Sequence, residues 1–203
     1  MENKNTIDYE KIIVSKKIGI IGLGGAGGNI LALFAGEYGC TNCVVMNTDK
    51  EELDAAQNVK TKIYLGTSNQ PLHYHGDVQA LAMKKEAILS SEAVAKEAFK
   101  NFKHIIIVFG LGGNCGGNAH EILRMAKEVG VNTTTIVEHV LYFEGAAREK
   151  KSFEALELIR PLTDKLVEID CKFDALATVD ECFESMDKIA CDKILEELNK
   201  YKS

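Results

Sequence analysis

Two glycine-rich segments carry most of the chemistry written in this chain. Gly22-Leu23-Gly24-Gly25-Ala26-Gly27 has the G-x-G-x-x-G spacing, between the apolar run Lys17–Gly22 and a helical pattern from Asn29 to Gly36. Without side chains, backbone N–H groups can approach an anion, and the following helix N-terminus adds a field that favours phosphate. The first loop, Gly22 to Asn29, therefore reads as a phosphate holder. Asp49 lies roughly twenty residues further on, where a dinucleotide-binding domain places its ribose carboxylate. Taken alone, this pattern suits NAD.

Gly110 to Asn118 repeats the arrangement. It leaves the apolar run Ile105–Phe109 and opens a helix over Ala119–Val129, and five of its nine residues are glycine. Ordering so many glycines is entropically costly, which argues for a ligand. One such loop serves a pyrophosphate, whereas two at adjacent strand ends can surround a triphosphate. No G-x-x-x-x-G-K-[ST] segment occurs, so the chain is not a P-loop nucleoside triphosphatase.

Other reactive residues carry weaker signals. Cys40-x-x-Cys43 is a single pair with no matching second pair, and Cys43 opens an apolar strand, where cysteine acts as a small hydrophobe. There are six cysteines, but no export signal supports a disulfide framework. His73 and His75 lie in the turn-rich stretch Gly66–Gly76 and lack a third ligand, so they read as surface.

Elements must position these groups. Short apolar runs at 17–22, 43–46, 62–65, 105–109, 133–137 and 166–169 read as buried strands. Helical patterns cover 29–36, 51–57, 77–100, 119–129, 148–159 and 179–201, the last being long. Such alternation predicts an α/β fold: a three-layer, Rossmann-like, mostly parallel sheet with helices on both faces, ending in a long core helix. Residues 1–15 read as an N-terminal extension and 16–203 as one nucleotide-binding domain.

A formal net charge of −6 without a basic run excludes non-specific nucleic-acid binding. No apolar stretch approaches the roughly 20 residues that span a bilayer. The polar, acid-containing N-terminus is unlike a signal peptide, and a cytoplasmic location is expected.

Together these segments resemble the tubulin/FtsZ superfamily of GTP-binding, filament-forming proteins, closest to its FtsZ branch. Gly22 to Asn29 is similar to that family's first phosphate loop. Asn47-Thr48-Asp49 matches its Asn-Thr-Asp segment, and Gly112 to Asn118 stands at its Gly-Gly-Gly-Thr-Gly-Thr-Gly signature. Phe143-Glu144-Gly145 with Arg148 resembles its Phe-Glu-Gly-x-x-x-Arg segment. Phe183 and Asp187, four apart on one helix face, match its base-reading pair.

The resemblance implies GTP or GDP as ligand, with Mg²⁺. Backbone groups of Gly24, Gly25, Ala26, Gly27 and Gly28 would hold phosphate, as would those of Gly112, Gly113, Asn114, Cys115, Gly116, Gly117 and Asn118. Asn29 would reach the nucleotide from the first helix, with Asn47 in the matched segment beside Asp49. Asp49 would lie near the metal through water. Glu144 would accept from the ribose hydroxyls beside Arg148. Phe183 would stack on the base, and Asp187 would accept the guanine N1–H and N2–H.

Departures from the family pattern set further expectations. Cys115 and Gly117 replace threonines and Asn118 replaces a glycine, which should weaken or retune triphosphate binding. The family's catalytic loop and activation domain follow the long helix, and this sequence stops at Ser203. The expected function is thus a guanine-nucleotide-binding, FtsZ-like cytoskeletal or regulatory subunit with weak or no GTPase activity of its own. The alternatives are an active GTPase completed by another subunit or partner, and an NAD-binding oxidoreductase. Cys182, Ile189, Cys191, Ile194 and Leu198 are expected to leave an apolar face for self-association or for another cytoskeletal protein.

Overall fold

Six strands form one sheet, and every pairing in it is parallel. They are β1 (Ile18–Leu23), β2 (Cys43–Asn47), β3 (Thr61–Tyr64), β4 (His104–Gly110), β5 (Asn132–Glu138) and β6 (Lys165–Ile169). Their spatial order is β3-β2-β1-β4-β5-β6. This computed structural model describes residues 7–66, 78–170 and 177–202, and of 78–81 the backbone only. His73, His75, Pro71 and Cys171 lie outside the described residues.

The strands are continuous apolar runs because both faces of the sheet are covered. Alternate side chains serve different layers. Ile21, Leu23, Ile105, Ile107 and Phe109 enter one core with helices α4 (Val78–Ser90), α5 (Glu92–Phe99), α7 (Ala119–Val129) and α8 (Ala146–Ile159). Ile18, Ile20, Ile106, Val108 and Ile136 enter the other, with α1 (Tyr9–Lys16), α2 (Gly24–Tyr38), α3 (Lys50–Ala55) and α9 (Val179–Asn199). The expected three-layer architecture is the one observed, with a wholly parallel sheet.

Four local expectations need correction. The helix expected over 77–100 is two helices. Ser91 breaks it: its hydroxyl donates to the Ala87 carbonyl at 3.0 Å and accepts from the Gly66 N–H at 2.8 Å. That side-chain competition ends α4 and ties the break to the end of β3. Second, the expected helices omit α1, which precedes β1. Asp8 caps it through the Lys11 N–H, and Ile13 is fully buried against β1 and α9.

Third, Cys40 and Cys43 are joined by a disulfide, with Cα atoms 5.4 Å apart, across the turn from α2 to β2. Cys43 still lies in the core as expected, and its sulfur serves both roles. Fourth, α9 leaves no open apolar face at the predicted positions. Cys191, Ile194 and Leu198 are buried and Ile189 is partly so, because α2, β5 and β6 cover that side, and Cys182 is buried against Leu141 and Met186. A Thr178–Glu181 capping box starts this helix: each residue's side chain takes the other's backbone N–H.

Candidate functional site

Strand β1 pairs with β2 on one side and β4 on the other, so successive crossovers leave in opposite directions between β1 and β4. The crevice beyond the carboxyl ends of strands at such a reversal is where open α/β sheets take ligands. Both glycine-rich segments lie there. The first is mostly helix rather than loop, because α2 begins at Gly24 directly after β1. Gly24 holds φ at +72°, a conformation that L side chains rarely adopt, and it turns the chain into the helix. Gly27 is needed for space: a Cβ there would stand 2.5 Å from the Val108 carbonyl oxygen.

The second segment contains a single turn of helix, α6 (Asn114–Gly117), preceded by Gly112 at φ +79°. The two segments touch. A Cβ at Gly24 would stand 2.9 Å from the Cys115 Cβ, and one at Gly110 would stand 3.2 Å from the Ala26 Cβ. Two glycine-rich surfaces therefore meet at one crevice, with only the small side chains of Cys115 and Ala26 at these points. That geometry suits a chain of phosphates.

Several predicted side chains are committed elsewhere. Cys115 is buried, with its Sγ 3.3 Å from Thr48 Oγ1 and 3.5 Å from Asn47 Oδ1. Only its backbone remains for a ligand. Burial also pushes its thiol above the ordinary value, so native-state alkylation followed by peptide mass mapping is expected to leave Cys115 unmodified. Rapid labelling would contradict that placement. Asn47 donates to the Glu52 carboxylate at 2.9 Å and accepts from the Asp49 N–H at 3.0 Å. Asp49 caps α3, accepting from the N–H groups of Glu51 and Glu52. Asn118 is buried and donates to the Asn114 carbonyl at 3.1 Å, which stiffens the second segment. Asn29 is exposed on α2.

Glu144 and Arg148 form an ion pair at 2.6 Å, and Glu144 also accepts from the Leu141 N–H at 2.9 Å. The pair adjoins the second segment, since a Cβ at Gly112 would lie 3.3 Å from the Arg148 carbonyl oxygen. On α9, Phe183 is 42% exposed, large for an aromatic side chain and open to contact. Its ring meets that of Phe143 edge-on at 6.2 Å, and Phe143 meets Tyr142 at 5.3 Å. Asp187 is half-buried one turn further along. Desolvation, with the nearby Glu184 carboxylate, raises its pKa to about 6, so it is chiefly ionised at neutral pH.

Two carboxylates at this edge escaped the sequence reading. Glu52 lies over the first segment, its Oε2 3.0 Å from where a Gly25 Cβ would be. Glu138, the last residue of β5, is buried at 6% exposure. A glutamate closing an apolar strand carries no spacing signal, so sequence alone would not single it out. Among the described residues no cluster of three His, Cys, Asp or Glu side chains suits a metal ion. A separate cleft of about 330 Å³ backs the second segment, lined by Gly113, Asn114, Gly117, His120, Lys85 and Lys151.

Comparison with known proteins agrees with this geometry. The profile of the Tubulin/FtsZ family, GTPase domain, matches residues 17–177. The cell division protein FtsZ of Rickettsia felis is 32% identical over 165 residues, covering 79% of this chain and 35% of that protein. FtsZ of Helicobacter pylori strain 26695 is 31% identical over 182 residues, covering 85% and 46%. The chain thus spans between about a third and a half of these relatives' length. The M. jannaschii structure described as an empty FtsZ dimer superposes with a TM-score of 0.80 at 26% identity, over 90% of this chain and 54% of that one. The GDP-bound CetZ1 monomer from Haloferax volcanii shares the fold at a TM-score of 0.71 and 18% identity, over 87% of this chain and 58% of that one. Among the described residues no helix is long and apolar enough to cross a membrane. From its paired glycine-rich segments to its matched profile, this chain belongs to the Tubulin/FtsZ family and carries that family's GTPase domain.

Proposed function

We propose that the chain binds GDP and GTP in the crevice beyond β1 and β4, as a regulatory or cytoskeletal subunit in the cytoplasm. The observation that carries this reading is the meeting of the two glycine-rich segments, with Glu144–Arg148 beside one of them. Phosphates would lie between the segments, and the ribose beside Glu144. The base would lie against Phe183 with Asp187 on its Watson–Crick edge. A carboxylate there accepts the guanine N1–H and N2–H, which adenine cannot offer. Mg²⁺ would sit near Asp49 with water and phosphate completing its shell, since the Asp49 carboxylate already accepts two backbone N–H groups.

Hydrolysis by the chain alone is proposed to be slow or absent. No hydroxyl side chain stands among Gly112 to Asn118, and the Cys115 thiol is turned into the core. Steady-state phosphate release from GTP tests this point, and a clear multiple-turnover rate from the purified chain would overturn it. Asp187→Ala tests base reading by competition between GDP and ADP. Hydrogen bonds to a charged group are worth about 1.5–3 kcal/mol, so guanine preference is expected to drop roughly 10- to 100-fold. Preference that survives the substitution would remove Asp187 from the base.

A further inference from the structure

Glu138 has an environment that no structural need explains. Side chains of β5 alternate between layers, and Ile136, two residues earlier, lies in the core under α2 and α9. Glu138 therefore points to that same side, at the carboxyl edge of the sheet. Its Oε2 stands 3.7 Å from where a Gly110 Cβ would be, and Gly110 itself lies against Ala26 of the first segment. Its Oε1 is buried and finds no hydrogen-bond partner among the described residues. A buried carboxyl oxygen without a partner costs free energy unless something outside the chain completes it.

We propose that Glu138 enters the nucleotide site as a neutral carboxylic acid whose O–H donates to a phosphate oxygen of the bound nucleotide, and that its ionisation weakens binding. This rests on the guanine-nucleotide reading above. Its place beside Gly110, where the second phosphate-holding segment opens, selects phosphate as the acceptor. The surroundings favour the acid form. Burial, then the Asp187 carboxylate of α9, then Glu144 hold the Glu138 carboxyl up to about 8. The Cys191 thiol of α9 also faces it and is itself pushed up to about 12, so it stays neutral over this range. An acid donor suits an anionic phosphate, whereas a carboxylate would repel it.

The experiment compares GDP dissociation constants of the wild-type chain and Glu138→Gln at pH 7 and pH 9, by calorimetry. Both proteins share the titrations of GDP, Asp187 and Cys191, so the ratio of ratios isolates residue 138. With titration near 8, only about a tenth of the wild-type sites keep the proton at pH 9. The wild-type constant should then rise roughly tenfold more than that of Glu138→Gln. Equal pH ratios, with GDP bound by both proteins, would overturn the proposal and leave the nucleotide reading standing. No GDP binding by the wild-type chain at pH 7 would overturn both. Should the variant not fold, the ¹³C resonance of the Glu138 carboxyl in the wild-type chain is decisive. Its titration midpoint should rise on adding GDP, and an unmoved or lowered midpoint would reject the proposal.

Discussion

Replacing Glu138 with glutamine is expected to stabilise the ligand-free protein strongly at pH 8 and hardly at all near pH 4. In the folded chain the carboxyl titrates at about 8, against an ordinary value of 4.5. Between these values the folded state keeps a proton that the unfolded chain has released. Stability therefore falls as pH rises through that window, since the unfolded state binds fewer protons. Glutamine is neutral throughout and escapes the loss. Each pKa unit corresponds to about 1.4 kcal/mol, which puts the gain at pH 8 on the order of 3–5 kcal/mol. For a chain of this size that is a rise of roughly 10 °C in Tm. Thermal melts of both proteins at pH 4, 6 and 8 decide it. Curves that stay parallel across the range would mean that the buried carboxyl pays no ionisation cost.

The second large effect concerns two adjacent glycines of α2. Gly27→Ala is expected to cost about 3 kcal/mol or more, at or beyond the upper end of ordinary overpacking. Its Cβ would press on the Val108 carbonyl at 2.5 Å and on Gly22 backbone atoms at 2.8 and 3.0 Å. None of these can swing away as a side chain could, so β1, β4 and α2 would have to separate. Gly28→Ala is the control. Its Cβ would make ordinary contacts at 3.7 Å with Ala56 and Val45, and helix propensity favours alanine by about 1 kcal/mol. Chemical denaturation should move the two midpoints in opposite directions. A Gly27→Ala protein as stable as wild type would show that the sheet and helix can part without cost.

Much of this architecture was legible because it rests on patterns that need no distant partner. Helix α7 runs from Ala119 to Val129 as read, since its amphipathic stripe ends at Gly130, which turns left-handed at φ +78°. The strands were legible as apolar runs. The break at Ser91 was not, because it depends on the Gly66 N–H arriving from the end of β3. Helix α1 was missed for a similar reason: Ile13 is apolar for a core that only the folded sheet supplies. In the site, the glycines could be read but the fate of Cys115 could not. Its thiol turns toward Thr48 and Asn47, residues far away in sequence. The α9 surface was misjudged because helical spacing shows which side is apolar and not that α2 covers it.

The contact between Gly24 and Cys115 has a consequence for how the protein comes to exist. These residues meet only because β4 lies beside β1, on the side away from β2 and β3. Such non-local parallel pairing forms slowly, since loop closure must be paid before the contact rewards it. The first glycine-rich segment is synthesised before the second, and the crevice is complete only once both are made and β4 has docked. Any ligand that bridges the halves then acts as a clasp on the middle of the sheet. It stabilises the central strand pair directly, by RT ln(1 + [L]/Kd), and resistance to proteolysis should rise with ligand concentration in that proportion.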